Sequence, residues 1–364
     1  MGVMKAAAFI DKNRIEIVEK KIPDVGPNDA LIRITTTTIC GTDVHILKGE
    51  YPVAKGLTVG HEPVGIIEKL GSNVKGYEEG QRVIAGAICP SFTSYPCQDG
   101  YPSQDGSYLM ENGVCSCHGY KATAGWRFGN MIDGTQAEYV LVPDAQANLA
   151  PIPDGLTDEE VLMCPDIMST GFKGAENANI EIGDIVAIFA QGPIGLCATA
   201  GARLKGASVI IAIDGNNERL EIAKKLGATV TLNFKEVDII DEVMKLTNGR
   251  GVDASIEALG TQKTFEQALA ILKPGGTLSS LGVYSQDLVI PLKYFAAGLG
   301  DHKINTALCP GGKERMRRLM NVIRSGNVDL KPLVTHQFKL DDIVEAYDLF
   351  ANQRDGVLKV AIKP

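Results

Sequence analysis

No apolar run in the chain approaches the roughly 20 residues that a membrane span requires. The first residues, MGVMKAAAFIDKNR, turn charged too soon for a secretory signal. Position 6 is Ala, where a myristoylation signal needs Ser or Thr. An excess of basic charge is also lacking. Lys and Arg number 36 against 44 Asp and Glu, a formal net charge of −8, which argues against nucleic acid as a partner. Eight cysteines in 364 residues are too few for a disulfide scaffold. A cytoplasmic chain with reduced thiols is therefore expected, and metal binding or burial outranks disulfide pairing. Internal repeats and low-complexity segments are absent too. What remains is 45% hydrophobic and 22% charged, an ordinary globular composition in a chain long enough for two domains.

The pattern changes along the chain. The first half carries short apolar segments such as Ala30-Leu31-Ile32-Arg33-Ile34-Thr35, punctuated by Gly and Pro, which predicts strands. From Cys89 to Gly125 the period fails amid Ser, Tyr, Gln, Gly and Pro, as in a long excursion loop. After Pro165 strands and helices alternate. Strands are expected over 185–189 and 208–213 and helices over 193–204 and 218–226, with weaker strands near 229–232, 254–256 and 277–281. That alternation predicts βαβ units around a parallel sheet. A helical stretch over 314–320 and a β-like stretch over 358–362 close the sequence. The expected organisation is a β-rich domain from residues 1–167 and 308–364, enclosing an α/β domain from 168–307.

Ala190-Gln191-Gly192-Pro193-Ile194-Gly195 sits between an expected strand and an expected helix. It is the G-x-G-x-x-G frame with alanine in the first position. Gly192 lets the backbone approach a pyrophosphate, Gly195 permits close helix–strand packing, and the helix N-terminus supplies donors and positive dipole. Asp214 ends the next apolar strand, about 20 residues on, where an acid accepts from ribose hydroxyls. An aspartate there repels the 2′-phosphate of NADP, and no arginine follows at once. The reading is a dinucleotide site for NAD.

Cys40-Gly41-Thr42-Asp43-Val44-His45 and Gly60-His61-Glu62-Pro63-Val64-Gly65 carry the other chemistry. Zinc takes thiolate, imidazole and carboxylate ligands and keeps one position open when catalytic. Cys40 and His61 have the right donor types, and a third ligand must come from elsewhere. With Gly71 and Val74 the second segment matches G-H-E-x-x-G-x-x-x-x-x-G-x-x-V. The chain thereby resembles the zinc-containing medium-chain alcohol dehydrogenases over essentially its whole length. Met163-Cys164-Pro165-Asp166-Ile167-Met168-Ser169-Thr170-Gly171 and Leu308-Cys309-Pro310-Gly311-Gly312 are most similar to the microbial secondary-alcohol (isopropanol) dehydrogenases and carbonyl reductases.

That resemblance implies an α/β protein: a GroES-like β-rich catalytic domain and a Rossmann coenzyme domain. It implies one catalytic zinc at Cys40, His61 and Asp166, with Glu62 as a neighbour or exchangeable ligand. Cys164 is the competing third ligand. A second, structural zinc at Cys89, Cys97, Cys115 and Cys117, with His118 joining, is disfavoured by the wide cysteine spacing. Thr42 would hydrogen-bond the reacting oxygen, His45 would pass the proton to solvent, and Asp43 would orient His61. The plainer alternative makes Thr42 an N-cap, Asp43 a first-turn helix charge and His45 a surface residue, and capping and catalysis are compatible. Ala87, Trp126 and Leu308 would line the substrate pocket, and Lys359 would meet the cofactor pyrophosphate. The expected activity is reversible hydride transfer between NAD and a small secondary alcohol or ketone, with primary alcohols weaker and a homotetramer as the assembly. A polyol or sugar dehydrogenase, or a non-catalytic NAD-binding protein, is the alternative.

Overall fold

The computed structural model describes residues 2–105 and 125–364. Cys115, Cys117 and His118 lie outside the described residues. The chain divides into two units, Met1–Ser169 with Cys309–Pro364, and Thr170–Leu308. Met168 and Ser169 therefore go with the first unit and Leu308 with the second, each the reverse of the expected boundary.

The first unit is built on a seven-stranded sheet with the order Val334–Lys339, Lys359–Lys363, Ala30–Thr38, Val64–Leu70, Arg82–Ala85, Leu149–Pro151; Tyr139–Val142 also pairs with Ala30–Thr38. Every pairing is antiparallel except that of Val334–Lys339 with Lys359–Lys363. Ala30–Thr38 is the hub. Its Ile32 and Ile34 enter a core with Ile67, Val83, Phe128, Val140 and Leu149, while Arg33 between them stays exposed, the alternation expected of a half-covered sheet. A hairpin of Val3–Asp11 and Arg14–Lys21 precedes it.

Register explains why distant segments meet. Thr36 pairs with Val64 in the antiparallel ladder, so the end of one strand, followed by Cys40, lies beside the start of the next, preceded by His61 and Glu62. Thr38 pairs with Ala361 of the late strand, which brings Lys359 to the same end. Ala87 N–H donates to Pro165 O at 2.9 Å and ties the segment carrying Asp166 to the end of Arg82–Ala85.

The second unit is a six-stranded sheet, all parallel, ordered Val230–Asn233, Val209–Asp214, Ile185–Phe189, Val252–Glu257, Leu272–Ser280, Lys303–Thr306. The chain enters in the middle, builds outward on one side, then crosses to the other. Ligands bind such sheets at the reversal point, beyond the carboxyl ends of the strands. Here that point lies between Ile185–Phe189 and Val252–Glu257. Phe189, Ile211, Ile213, Val243, Phe265 and Leu278 fill one side of the sheet. Buried on both faces, the central strands Ile185–Phe189 and Val209–Asp214 are nearly continuous apolar runs without alternation. No helix among the described residues is long and apolar enough to cross a membrane.

Candidate functional site

Cys40 stands at the start of the helix Gly41–Leu47, where Asp43 occupies the third helical position. Asp43 Oδ2 accepts the Cys40 N–H at 2.9 Å, which caps the helix and fixes the thiol-bearing residue. The other oxygen, Oδ1, faces His61 Nδ1 at 3.4 Å. One carboxylate thus caps the Cys40 helix with one oxygen and faces the His61 ring with the other.

His61 Nε2 in turn lies 3.4 Å from Asp166 Oδ2, and Cys40 Sγ lies 3.6 Å from the same oxygen. With Glu62 they form a cluster whose ligand atoms are all within 4.8 Å of one another. Asp166 rides on a π-helical turn, Cys164–Met168, which gives way to the helix Ser169–Asn177. Single π-turns recur at functional sites because the wider turn redirects one side chain. Cys164 is fully buried with its sulfur beside Met168, and burial pushes its thiol pKa up. It takes no part in the cluster.

A divalent cation fits this donor set. Glu62 is fully buried, and its Oε1 has no hydrogen-bond partner, which is costly in a site lacking a cation. Burial disfavours the charged form of His61, yet Asp43 and Asp166 outweigh it and raise the pKa well above its usual value. The carboxylates therefore demand positive charge here. Burial first, and then the Asp166 charge, pushes Cys40 and Glu62 up against the pull of Lys359 and His61, and a metal would reverse that by holding both as anions.

Lys359 is not where a pyrophosphate contact was expected. It is 1% exposed, and its Nζ donates to Glu62 Oε2 at 2.6 Å and to Ile39 O at 3.1 Å. The ion pair outweighs its burial, so its pKa is raised. Breaking such a buried pair by removing one partner costs about 3–5 kcal/mol. Nothing in the residue pattern flags this pairing, because a C-terminal lysine is usually solvated.

Thr42 is partly buried, with Oγ1 3.9 Å from Cys40 Sγ. His45 is half-exposed, hydrogen-bonded through Nδ1 to Glu50 and stacked on Tyr51 at 5.3 Å between centroids. Trp126 meets both Tyr51 and His61 edge-on, at 5.9 and 6.1 Å. Ala87 is buried. Leu308 is partly buried and belongs to the second unit. Cys89 is buried with its thiol directed at Gly86 O, and Cys97 is partly exposed on the short helix Tyr95–Gln98.

In the second unit Gly192 and Pro193 open the helix Pro193–Lys205 directly after Ile185–Phe189. A Cβ on Gly195 would stand 1.8 Å from Ala190 O, so only glycine lets the helix lie this close to the turn. A Cβ on Gly192 would meet nothing within 4 Å, which is the open approach a pyrophosphate needs. Ala190, at φ +69°, adopts the left-handed conformation that glycine would take without strain. Asp214 is 8% exposed; its Oδ2 accepts Gln191 N–H at 2.6 Å and its Oδ1 accepts Asn216 N–H at 2.9 Å. A carboxylate has further lone pairs, so this bracing is compatible with a ribose contact.

Two family models match the chain: "Alcohol dehydrogenase GroES-like domain" over residues 26–154 and "Zinc-binding dehydrogenase" over 193–325. An alcohol dehydrogenase of Cupriavidus necator is 83% identical over 363 residues, spanning 100% of this chain and 99% of that protein. An NADP-dependent isopropanol dehydrogenase of Thermoanaerobacter brockii is 37% identical, spanning 99% of each. Among solved structures, alcohol dehydrogenase TADH of Thermus sp. ATN1 superposes with a TM-score of 0.85 at 31% identity, covering 99% of each chain. With these matches the metal cluster and the glycine turn have their context: the chain belongs to the zinc-dependent medium-chain alcohol dehydrogenases and is an oxidoreductase acting on the CH–OH group.

Proposed function

We propose that this alcohol dehydrogenase interconverts small secondary alcohols and ketones, using NAD as the hydride carrier. The observation that carries the reading is the metal cluster itself, in which Asp166 supplies the third ligand beside an apolar wall of Ala87 and Trp126. The small Ala87 leaves room for a second carbon substituent. The full-length similarity to an isopropanol dehydrogenase supports the same substrate class.

Cys40, His61 and Asp166 would hold the zinc, with Glu62 as an exchangeable fourth donor. When bound, zinc supplies Lewis acidity toward the carbinol oxygen, and NAD accepts the hydride. The residues' own work is then separable. Asp43 holds His61 with Nδ1 turned inward, so that Nε2 is offered to the metal. Thr42 would hydrogen-bond the reacting hydroxyl, and His45, at the half-exposed edge where Glu50 anchors the ring, would hand the proton on to water. Lys359 holds one oxygen of Glu62 and leaves the other as the metal-facing donor. The aromatic wall keeps bulk water off the reacting carbon.

NAD is preferred over NADP because Asp214 is an anion set against a 2′-phosphate. In this respect the chain would differ from its NADP-dependent relative. A homotetramer is the assembly we propose, on family analogy. A spectrophotometric screen of 2-propanol, 2-butanol, ethanol and sorbitol, each with NAD and NADP, tests the reading. Preference for sorbitol would move the chain to the polyol dehydrogenases, and preference for NADP would remove Asp214 from coenzyme selection.

A further inference from the structure

A buried polar chain runs away from the metal cluster on the side opposite the ligands. Tyr347, on the helix Ile343–Ala351, is 2% exposed, and its hydroxyl donates to Gln136 Oε1 at 2.9 Å. Gln136, fully buried, donates from Nε2 to Thr38 O at 3.2 Å and to Asp43 Oδ2 at 3.3 Å. Asp43 is the carboxylate that caps the Cys40 helix and faces His61.

The direction of every bond is set by elementary chemistry. Thr38 O and the Asp43 carboxylate only accept, so the Gln136 amide must turn its NH2 toward them. Its oxygen then points the other way and needs a donor. Tyr347 is that donor and stays one. Burial, and then the nearby Asp43 charge, push the phenol pKa well above its usual value. A flipped amide would set its oxygen against two acceptors, Thr38 O and Asp43 Oδ2, and leave the buried phenol proton without an acceptor, a costly arrangement.

The backbone keeps Gln136 in place. Its N–H donates to Val59 O at 2.9 Å, and the N–H of Thr135 donates to Gly60 O at 3.0 Å, just before His61. Thr135 Oγ1 accepts the Glu62 N–H at 3.2 Å. The same dipeptide thus braces the ligand segment and the carboxylate behind it.

We propose that Gln136 and Tyr347 are positioning residues of the metal centre. Through Asp43 they fix the ring orientation and tautomer of His61, and so set how tightly the zinc is held. The proposal rests on the metal-centre reading above. A Phe at position 347 would fill the same space, so what the hydroxyl adds is the orientation of the amide.

The test is zinc release from the purified full-length protein to a chromophoric chelator, with the visible spectrum of the cobalt-substituted protein as a second readout. Tyr347→Phe should release zinc about tenfold faster, and Gln136→Met between about 10- and 100-fold faster, the range for partners behind metal ligands. Both should alter the cobalt ligand-field bands. The control is Tyr284→Phe, which removes a partly buried phenol that donates to Glu257 in the other unit at 2.8 Å. Its zinc release should match that of the unaltered protein even where its thermal stability falls. Native release rates and native cobalt spectra in both network variants would overturn the proposal, as would equal acceleration in the Tyr284 control. If Gln136→Met does not fold, Tyr347→Phe decides the matter alone. Failure of the unaltered protein to hold zinc would instead bring down the metal-centre reading itself.

Discussion

The two units write their chemistry in different ways. In the second, the features proposed to bind the dinucleotide are continuous: strand, turn, helix, strand and a terminal acid follow one another from Ile185 to Asp214, with open space above Gly192 and close packing at Gly195. In the first, the site is assembled from segments near residues 40, 61 and 166 and braced from residues 136, 347 and 359. One unit depends on backbone shape in a local motif. The other depends on buried charges that are tolerable only together. Substitutions should accordingly have different signatures in the two.

The largest effect is expected at Asp166→Ala. Zinc and activity should disappear together, measured by metal analysis and turnover, while binding of NAD to the second unit survives. Full zinc occupancy in this variant would transfer the ligand role to another residue. Thr42→Val should come next. With zinc retained, kcat should fall by about 100-fold or more, the range for a lost proton-transfer partner; a change in stability alone would reduce Thr42 to a structural residue of the helix's first turn.

Gly195→Ala sharpens the contrast from the other side. Its methyl would fall on Ala190 O, so the turn must open at a cost of about 1–3 kcal/mol or more. Coenzyme affinity measured by fluorescence titration should fall while zinc content is unchanged. The double variant Asp214→Gly/Asn216→Arg should shift the NAD to NADP preference by about tenfold or more, equivalent to roughly 1.4 kcal/mol. Unchanged preference in kcat/KM would take the carboxylate away from the ribose.

The smallest effect is one the units should share. Asp158 in the first unit is half-buried; burial raises its pKa, but hydrogen bonds from Thr35, Arg82 and Thr36 overcome this and leave it lowered. Asp253 in the second is lowered against its burial by Ile185 N–H, Lys273 and Arg250. A carboxyl with a lowered folded pKa adds stability above its unfolded value and loses it as pH falls through the folded one. Thermal melts should therefore weaken below about pH 4, and Asp158→Asn or Asp253→Asn should each flatten that acid limb. A variant limb as steep as the native one would remove that group from the acid response.

Legibility in the sequence follows the same division. The strand Ile185–Phe189 and the helix after it were readable from their period, and the Ala30–Thr38 strand from its alternation. The edge strand Lys303–Thr306 was not, since its residues KINT carry one apolar side chain. The helix Ile343–Ala351 follows the charged 3₁₀ turn Leu340–Asp342 and was likewise missed. At the metal centre Cys40, His61 and Asp166 were recognisable by donor type and family resemblance. Lys359, Gln136 and Tyr347 were not, because a buried polar side chain announces itself only through partners that are remote in sequence: 297 residues separate Lys359 from Glu62.

That separation also has a meaning in time. The strand that carries Lys359 is synthesised after the entire second unit, so the sheet of the first unit waits open while its neighbour is made. At about 5–20 residues per second the interval between Glu62 and Lys359 is about 15–60 s. During it Glu62 lacks the ammonium that pairs with it in the folded chain. The buried ion pair behind the cluster is thereby among the last parts of the first unit to be completed, after the second unit has already been made.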